Sequence, residues 1–432
     1  MRPLAMKLPG APHFAYREGQ LHVEGCALAD LARRHGTPLY VYSRTAMLEA
    51  LERYRSALAG RDHLVCYAMK ANSNLAVLQF FAAQGCGFDI VSGGELERVI
   101  AAGGDVAKVV FSGVGKTRAE MRRALDAGVL CFNVESEPEL ELLSQVALQA
   151  GRTASVSLRV NPDVDARTHP YISTGLKGNK FGIAHERALA VYRRAAALPG
   201  LRVCGIDCHI GSQITEIAPY LDALDRLLDL VEQIEAQGLH IEHLDMGGGL
   251  GIDYAGEQPP DAQALVRALL ARIDERGHGH RRLLFEPGRS LVGNAGALVS
   301  EVLYLKPADE AKSFCIVDAG MNDLVRPAMY EAWMQIVECA PRTGAQPRTW
   351  DVVGPVCESG DWLGRERALA VEPGDFVAVL SAGAYAMSMA SNYNSRGRPA
   401  EVLVSGSDSW LIRDREVPAE LMRGEHLSTL RA

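Results

Sequence analysis

Short apolar runs alternate with amphipathic stretches between residues 63 and 290, and this alternation constrains the fold more than any other feature of the chain. Eight runs have the length and composition of strands: HLVCYAM, FDIV, VVF, CFNV, VSLRV, CGIDCHI, HLDM and LLFE. The stretches between them have helical periodicity and end in glycine, as in GELERVIAAGG and TRAEMRRALDAG. Eight strand–helix units predict a closed (β/α)8, TIM-like barrel. An open doubly wound sheet is the alternative, and the lack of an early GxGxxG turn in the sequence favours the barrel.

The alternation of strand-like and helical stretches ends after about residue 290. Strand-like runs then dominate: ALVSEVLYL, SFCIVD, TWDVV, FVAVLSAG, AEVLVSG and SWLIRD. We therefore predict an α/β protein in three parts. Residues 39–290 form the barrel, residues 291–432 form a mainly β domain, and residues 1–38 form a segment whose runs FAYREG and LHVEG pair with the C-terminal sheet.

Composition and charge exclude several classes of protein. A chain of 432 residues is too long for one simple core. A net charge of −8 argues against a nucleic-acid partner. No apolar run approaches the roughly 20 residues that span a membrane, and the first residues lack the apolar core of a signal peptide. The nine cysteines are scattered, without the paired spacing of zinc sites, so we expect a reduced, cytoplasmic protein that holds no metal.

Chemically useful residues concentrate where the predicted strands end, which is where barrels carry their active sites. They are Lys70 after the first strand, Asp89 after the second, His209 and Ser212 after the sixth, Gly248 and Gly249 after the seventh, and Glu286, Gly288 and Arg289 after the eighth. Lys70 and the glycines also have ordinary interpretations, as a solvated charge and a tight turn. Together, a lysine and glycine-rich backbone N–H groups at one rim fit pyridoxal 5′-phosphate, which needs a lysine imine and a phosphate site. Glu286 is the expected partner of its pyridine nitrogen, and His209 is expected to stack on its ring.

The C-terminal part carries two further candidate segments. GPVCESGDWL places Cys357 beside Glu358, and SAGAYAMSMASNYNSR surrounds Tyr385 with small and polar residues. Cys357 has the alternative interpretation of a core cysteine, but its glycine, proline and acidic neighbours favour a loop in which a thiol can donate a proton.

Nine motifs in this order resemble the diaminopimelate decarboxylase family, within the alanine-racemase-like pyridoxal-phosphate enzymes. They are YAMKAN, FDIVSGGEL, VFSGVGKT, HIGSQ, LDMGGGLG, EPGRSLV, MNDLVRPAMY, GPVCESGDWL and AGAYAMSMASNYNSR. The resemblance implies that Lys70 forms the imine with the cofactor and that Cys357 protonates the product carbanion. It also implies cofactor contacts from His209, Ser212, Gly248, Gly249, Glu286, Gly288, Arg289 and Tyr385, and substrate contacts from Arg289, Arg326, Tyr330, Glu358 and Tyr385.

The same resemblance implies the reaction and the assembly. The expected reaction is decarboxylation of meso-2,6-diaminopimelate to L-lysine and CO2, the last step of lysine biosynthesis. A homodimer is expected, in which Cys357 and Glu358 complete the partner's site. No nucleic acid and no membrane is expected as a partner.

Three alternatives remain at this point. The first is a sister decarboxylase for ornithine, arginine or carboxynorspermidine, against which Arg326 and the CESGDWL form argue. The second is a racemase on the same barrel, but racemases generally place an arginine against the pyridine nitrogen, where this chain has Glu286. The third is a binding protein that kept the fold and lost the chemistry, which the presence of Lys70 and Cys357 argues against.

One position departs from the family pattern. The family usually has glycine after the tyrosine of AGAYGMS, whereas this chain has Ala386. If the position needs a positive φ, alanine is strained there by about 1 kcal/mol or more. We then expect altered activity without loss of function.

Overall fold

The computed structural model describes residues 8–166, 172, 174, 175, 179–308 and 312–428. Most of the polar stretch 167–180, a candidate loop near the site, lies outside the described residues. The chain divides into two compact units. Leu48–Val292 form the barrel unit, and the segments up to Met47 and from Gly293 onward form the β unit.

The N-terminal part of the β unit is a small sheet followed by a helix and a strand. These elements are β1 (Phe14–Arg17), β2 (Gln20–Val23), β3 (Cys26–Ala27), α1 (Leu28–His35) and β4 (Leu39–Ser43). The runs that we expected to pair with the C-terminal sheet, β1 and β2, pair with each other, and Leu21 N of β2 also donates to the carbonyl oxygen of Cys339 at 2.7 Å. The reason is the two-residue connection Glu18–Gly19, in which both residues have positive φ, 49° and 78°. This backbone closes a tight hairpin.

The barrel unit has the eight predicted parallel strands. Its elements are α2 (Arg44–Ala57), β5 (His63–Ala68), α3 (Leu75–Ala83), β6 (Gly87–Ile90), α4 (Gly93–Ala101), β7 (Val109–Phe111), α5 (Arg118–Ala127), β8 (Cys131–Val134), α6 (Glu137–Ala150), β9 (Ala154–Asn161), β10 (Ile183–Ala184), α7 (His185–Ala197), β11 (Leu201–Asp207), α8 (Ala218–Glu235), β12 (His243–Asp245), α9 (Ala262–Glu275), β13 (Arg282–Phe285) and α10 (Arg289–Val292). Strands β13 and β5 pair in parallel and β8 pairs with β9, so the sheet closes on itself. The predicted barrel is confirmed. All eight strands end at one rim, the carboxyl-terminal rim.

Helix ends in the barrel unit follow the predicted signals. Helix α5 begins with a capping box in which Thr117 and Glu120 satisfy each other's backbone N–H groups. It ends at Gly128, which has the left-handed conformation (φ 82°) of a helix C-cap. These local stops bring the chain back to the next strand after a short helix.

The rest of the β unit is a mainly β structure, as predicted. Its elements are β14 (Gly296–Lys306), β15 (Phe314–Val317), α11 (Arg326–Tyr330), β16 (Ile336–Glu338), β17 (Arg348–Val353), β18 (Trp362–Leu369), β19 (Phe376–Leu380), β20 (Ala400–Ser405), β21 (Asp408–Arg413) and α12 (Pro418–Leu421). The six predicted runs correspond to β14, β15, β17, β19, β20 and β21. Strands β16 and β18 were not predicted.

Strand β4 lies in the β unit, although the predicted barrel range began at residue 39. It pairs with β14 in antiparallel fashion and with β20 in parallel fashion. All five of its residues are buried, as expected for a strand at the centre of a sheet. Leu21 and Val23 of β2 pack in the same apolar core as Val41.

Glu24 ties the N-terminal segment to distant parts of the β unit. Its Oε1 accepts hydrogen bonds from Ser43 Oγ (2.6 Å) and Thr45 N (3.0 Å). Its Oε2 accepts from Thr45 Oγ1 (2.9 Å) and Gly406 N (2.6 Å). Burial alone would raise the pKa of Glu24, but these hydrogen bonds from Ser43, Gly406 and Thr45 lower it.

We predict that Glu24→Gln lowers the free energy of unfolding by about 1.5–3 kcal/mol, because an amide places a donor where Oε2 accepts two hydrogen bonds. The pKa of Glu24 is lower in the folded state, so its stabilisation is present above the ordinary glutamate pKa. It is lost as the pH falls through the lowered value. Urea unfolding at neutral and acidic pH measures both effects. Glu18→Gln is the matched control, because Glu18 is exposed and has a similar backbone conformation; equal losses in both variants would contradict the prediction.

Candidate active site

Lys70 lies directly after β5, in a 3₁₀ turn formed by Met69–Ala71. Its Nζ donates a hydrogen bond to Asp89 Oδ2 at 2.5 Å. Asp89 is completely buried in β6, and its Oδ1 has no hydrogen-bond partner among the described residues. The chain therefore places a primary amine at the carboxyl-terminal rim and holds it there with a buried carboxylate.

A cluster of buried carboxyl groups lies at the same ends of the last strands. Oxygens of Asp207, Asp245 and Glu286 all lie within 4.8 Å of one another; we call these three residues the carboxyl cluster. Asn133 Nδ2 donates to Glu286 Oε1 at 3.3 Å. Like charges this close and this deeply buried cannot all be ionised, so the cluster retains protons.

The pKa values of the carboxyl cluster follow from that crowding. Burial, and then the charges of Asp245, Asp89 and Asp207, raise the pKa of Glu286 well above its ordinary value, while Lys70 lowers it in part. Burial is also the first cause that raises the pKa of Asp245 to about 6 and that of Asp207 well above its usual range. A carboxyl group in this state can share a proton with a basic ring nitrogen.

Backbone segments approach closely at the ends of β11, β12 and β13. A Cβ added at Gly248 would lie 2.2 Å from the carbonyl oxygen of Glu286. One added at Gly249, whose φ is 97°, would lie 2.3 Å from the carbonyl oxygen of Gly211. Only glycine fits here. The bare backbone leaves room for an anion to approach N–H groups.

Arg289 lies with these glycine-rich turns. Its Nε and Nη2 donate to Ser212 Oγ at 3.3 and 3.1 Å, and its Nη1 donates to Tyr254 Oη at 2.5 Å. A buried guanidinium beside a serine hydroxyl suits a phosphate group. Tyr254 was missed by the sequence analysis, since a single tyrosine after a glycine-rich turn carries little signal.

His209 follows β11 and contacts the glycine turn. Its Nδ1 accepts a hydrogen bond from Gly248 N at 3.2 Å, which assigns the ring proton to Nε2. Burial, with the charges of Arg159 and Lys70, lowers the pKa of His209 well below its ordinary value. The imidazole is therefore neutral, and a neutral ring can stack on an aromatic cofactor without the cost of burying a charge.

The β unit holds the other predicted residues. Arg326 opens α11 and is 5% exposed, and its guanidinium lies 5.6 Å from the centre of the Tyr330 ring. A ring at this distance orients the guanidinium plane. Arg326 is thus a buried, oriented cation, as recognition of a carboxylate requires.

Cys357 and Glu358 lie in an exposed loop that other residues hold in place. Cys357 N donates to Asn394 Oδ1 at 2.9 Å, and a hydrogen bond to Glu358 raises the pKa of Tyr393. Asp361 accepts from Val356 N and from Met321 N, both at 2.6 Å. The sequence analysis missed Asp361, Tyr393 and Asn394; each has a partner that is distant in the chain, Met321, Glu358 and Cys357 respectively.

Tyr385 has the left-handed conformation in this region, with φ of 53°. Ala386 has φ of −116°, so the strain considered for alanine at this position does not arise. A non-glycine residue with positive φ in a candidate site is an unusual backbone state that the surrounding structure maintains.

The predicted site residues thus fall into two sets. The barrel unit brings together Lys70, His209, Ser212, Gly248, Gly249, Glu286, Gly288 and Arg289 at the carboxyl-terminal rim, and the β unit carries Arg326, Tyr330, Cys357, Glu358 and Tyr385. Across the described part of the chain, we find no helix with the length and apolar character that crossing a membrane requires.

Comparison with known proteins decides the family. Residues 44–293 match the family "Pyridoxal-dependent decarboxylase, pyridoxal binding domain". The chain is 60% identical over 415 residues to diaminopimelate decarboxylase of Pseudomonas aeruginosa, covering 96% of this chain and 99% of the relative. The chain belongs to the diaminopimelate decarboxylase family. It is 56% identical to the Vibrio cholerae enzyme of that name, over 94% of this chain and 96% of the relative.

A solved structure supports the same family assignment. Diaminopimelate decarboxylase from M. jannaschii in co-complex with L-lysine is 39% identical, with a TM-score of 0.92, and the match covers 98% of this chain and 99% of that one. The predicted family, the barrel with its β domain, and pyridoxal phosphate as the cofactor are confirmed. The protein is a pyridoxal-phosphate-dependent decarboxylase. The lysine at the rim, the proton-retaining carboxyl cluster and the glycine-rich turns fit the three needs of that cofactor.

We predict that Asp245→Asn flattens the pH dependence of stability in the cofactor-free chain. The pKa of Asp245 is about 6 in the folded state, and an unfolded aspartate has a pKa of about 3.9. The unfolded chain therefore loses this proton first, and stability falls as the pH rises from about 4 to about 6.

Asp245→Asn removes this titration. It should therefore reduce the fall in the free energy of unfolding over this pH range by about 1–3 kcal/mol. Urea unfolding from pH 4 to pH 7 measures it. Asparagine keeps the Oδ1 acceptor for Gly247 N. Asp222→Asn is the control, because Asp222 is exposed. An unchanged slope in Asp245→Asn would contradict the account of the carboxyl cluster.

Proposed function

We propose that this chain decarboxylates meso-2,6-diaminopimelate to L-lysine and CO2, the last step of lysine biosynthesis, in the cytoplasm. The observation that carries the proposal is the Lys70 amine, 2.5 Å from Asp89 Oδ2, at the rim that also holds the carboxyl cluster. The relatives named for this reaction, and the lysine-bound structure from M. jannaschii, support the choice of substrate.

The barrel residues bind and orient the cofactor. Pyridoxal phosphate, when bound, supplies an electron-withdrawing ring that accepts the electron pair left by the departing CO2. Lys70 would hold it through Nζ, and His209 would pack against its ring. Glu286 would share a proton with its pyridine nitrogen. Ser212, Gly248, Gly249, Gly288 and Arg289 would bind its phosphate, and Tyr385 would add a further contact.

Residues of the β unit recognise the substrate. Arg326 binds the distal carboxylate in a two-pronged fashion, since a buried guanidinium fits that group best. Glu358 pairs with the distal ammonium, and Tyr330, Tyr385 and Arg289 provide the remaining polar contacts. Ornithine and arginine lack a distal carboxylate, so neither substrate offers Arg326 a group to bind in this way.

Cys357 delivers the proton that the α-carbon needs after CO2 leaves. We propose that it acts across a homodimer, with Cys357 and Glu358 of each chain completing the partner's site. Two facts support this role. Both residues are exposed in the single chain, as groups supplied to another chain must be, and Asn394 fixes the backbone of Cys357.

The decisive test offers the holoenzyme meso-diaminopimelate, L-ornithine, L-arginine and L-lysine in parallel, and measures CO2 and the amine product. CO2 from diaminopimelate alone, with L-lysine formed, is the expected result. Release from ornithine or arginine would keep the fold and the cofactor and overturn the roles of Arg326 and Glu358.

We predict that Lys70→Ala abolishes the visible absorbance of covalently held cofactor and all turnover, because no other primary amine is assigned to that position. Absorbance spectra after gel filtration measure it. Lys108→Ala, at a partly exposed lysine of the same barrel, should keep both properties. A retained visible band in Lys70→Ala would refute the assignment.

We predict that Cys357→Ala lowers kcat by about 10²–10⁴-fold, the range of a positioned proton donor, while the cofactor absorbance is unchanged. Steady-state kinetics with a cofactor titration separate the two properties. Cys26→Ala, at a partly buried thiol of the same unit, is the control. Surviving turnover would mean that the proton has another source.

We predict that Arg326→Ala raises KM for diaminopimelate by about 10- to 150-fold, the equivalent of losing a charge-assisted interaction of about 1.5–3 kcal/mol. Arg326→Lys keeps the charge and should recover part of the affinity, since it loses only the two-pronged geometry. Arg423→Ala, at an exposed arginine, is the control. An unchanged KM would move the distal carboxylate to another residue.

A further inference from the structure

A second cluster of reactive side chains lies in the barrel unit, towards the opposite ends of the strands. Cys131 and His243 are the first residues of β8 and β12, and Cys204 lies in β11 three residues before Asp207. A sulfur atom from each cysteine and a ring nitrogen of His243 all lie within 4.8 Å of one another. We call these three residues the sulfur cluster; no step of the proposed reaction uses them.

His243 is the unusual member of the sulfur cluster. Its Nε2 is buried and has no hydrogen-bond partner among the described residues. The ring lies against Gly205, its register partner on β11, where an added Cβ would be 2.1 Å from Nε2. Glycine at position 205 therefore leaves room for the imidazole, and a buried polar atom that makes no hydrogen bond destabilises the fold.

The protonation state of the imidazole suits a ligand. Burial, and then the charges of Arg282 and Arg202, lower the pKa of His243 to about 4. Both arginines have acidic partners of their own, Asp62 and Glu242. The ring is therefore neutral at physiological pH, and metal ions bind neutral imidazole.

The thiols have apolar surroundings and weak hydrogen bonds. Cys204 Sγ donates to the carbonyl oxygen of Val156 at 3.3 Å, and Cys131 Sγ reaches Asn133 Oδ1 only at 4.0 Å. Both cysteines pack in an apolar cluster with Leu64, Cys66, Val110 and Leu284. Two sulfurs and one imidazole nitrogen thus lie within 4.8 Å of one another, and both sulfurs belong to a cluster of buried apolar residues.

We propose that Cys131, Cys204 and His243 bind Zn²⁺. Thiolate and imidazole are preferred ligands of this ion. On binding, each thiol loses its proton to solvent, two Zn–S bonds and one Zn–N bond form, and nothing is oxidised or reduced. Two thiolates balance the charge of Zn²⁺, whereas Cu⁺ would leave a net negative charge in an apolar space. In a tetrahedral site, sulfur ligands lie about 3.7 Å apart, which is compatible with ligand atoms that all lie within 4.8 Å of one another.

The proposed ion would join three strands of the barrel. It ties β8, β11 and β12 near their first residues, away from Lys70, and binds the folded chain in preference to the unfolded chain. Such an ion stabilises the fold by mass action and takes no part in the reaction. The expected function of this site is therefore structural.

The test uses the full chain with pyridoxal phosphate. Because the site is buried, the reduced chain is unfolded and refolded with pyridoxal phosphate and Zn²⁺ or Co²⁺. Metal analysis should then give close to one ion per chain, and Co²⁺ should show a thiolate charge-transfer band. Zinc X-ray absorption should show sulfur at about 2.3 Å and nitrogen at about 2.0–2.1 Å, and it counts any further ligand. A chain without metal, or a shell of oxygen and nitrogen alone, would overturn the proposal.

Variants identify the ligands. Cys131→Ala, Cys204→Ala and His243→Gln should each weaken binding by more than the about 10–100-fold that is typical of losing a supporting residue. They should also lose the rise in Tm that Zn²⁺ gives the wild type. Cys86→Ala, at a buried thiol of the same unit, and Cys357→Ala, at the exposed thiol, should retain both effects. If a ligand variant fails to refold, as judged by missing cofactor absorbance, the wild-type absorption spectrum decides the question alone.

Discussion

The active site of the barrel depends on an excess of buried carboxyl groups over buried cations. Asp89 and the carboxyl cluster supply four acidic groups, and Lys70 and Arg159 are the cations whose charges act on Glu286 or its neighbours. Arg159 also donates to Glu135 at 3.2 Å, so its charge is already shared. Protons must therefore remain on the cluster, because several like charges cannot be buried together.

This excess of buried carboxyl groups destabilises the folded chain but favours binding of the cofactor's ring nitrogen. Keeping unpaired acidic groups inside a closed barrel destabilises the protein, and the apolar packing of the rest of the barrel offsets the loss. A bound ring nitrogen gains a partner that already holds a proton. Among the described residues, no hydrogen-bond partner reaches Asp89 Oδ1 or Asp207 Oδ1, which is the local sign of this arrangement. Binding of the cofactor, whose ring nitrogen takes up a proton, should offset part of the repulsion among these carboxyl groups.

In the β unit, hydrogen bonds and a ring contact hold the candidate residues in place. Asp361 accepts hydrogen bonds from the backbone N–H groups of two loops, and Asn394 accepts one from the backbone of Cys357. Arg326 is the first residue of α11, and its guanidinium lies over the ring of Tyr330. The backbone of Cys357 is thus held by a residue that is distant in the chain, and Arg326 lies against a ring of its own helix. Such support reduces the ordering that substrate binding must impose.

The sequence predicts local features well and long-range contacts poorly. Eight apolar runs with glycine-ended helices between them suffice for the barrel. A strand that ends in a lysine predicts the position of Lys70 at the rim, but its chemical role was predicted only from the other rim residues and the family resemblance. Tyr254 and Asp361 could not be found this way, because each has a partner tens of residues away, Arg289 for Tyr254 and Met321 for Asp361. The pairing of β1 with β2 was missed although Glu18–Gly19 is a recognisable hairpin turn. Strand β18 was missed because it begins within a loop-like run of glycine and acidic residues. The strain considered for Ala386 shows that a family pattern does not reveal which residue has positive φ.

Glu286 is expected to keep the pyridine nitrogen of the bound cofactor protonated. The most direct measurement of this role is the ¹⁵N NMR shift of pyridoxal phosphate labelled at the ring nitrogen, bound to the wild type and to Glu286→Gln at neutral pH. We expect a protonated nitrogen in the wild type and an unprotonated nitrogen in the variant, with Lys70 still attached in both. An unprotonated nitrogen in the wild type would refute this role of Glu286, because the carboxyl cluster would then not serve the cofactor.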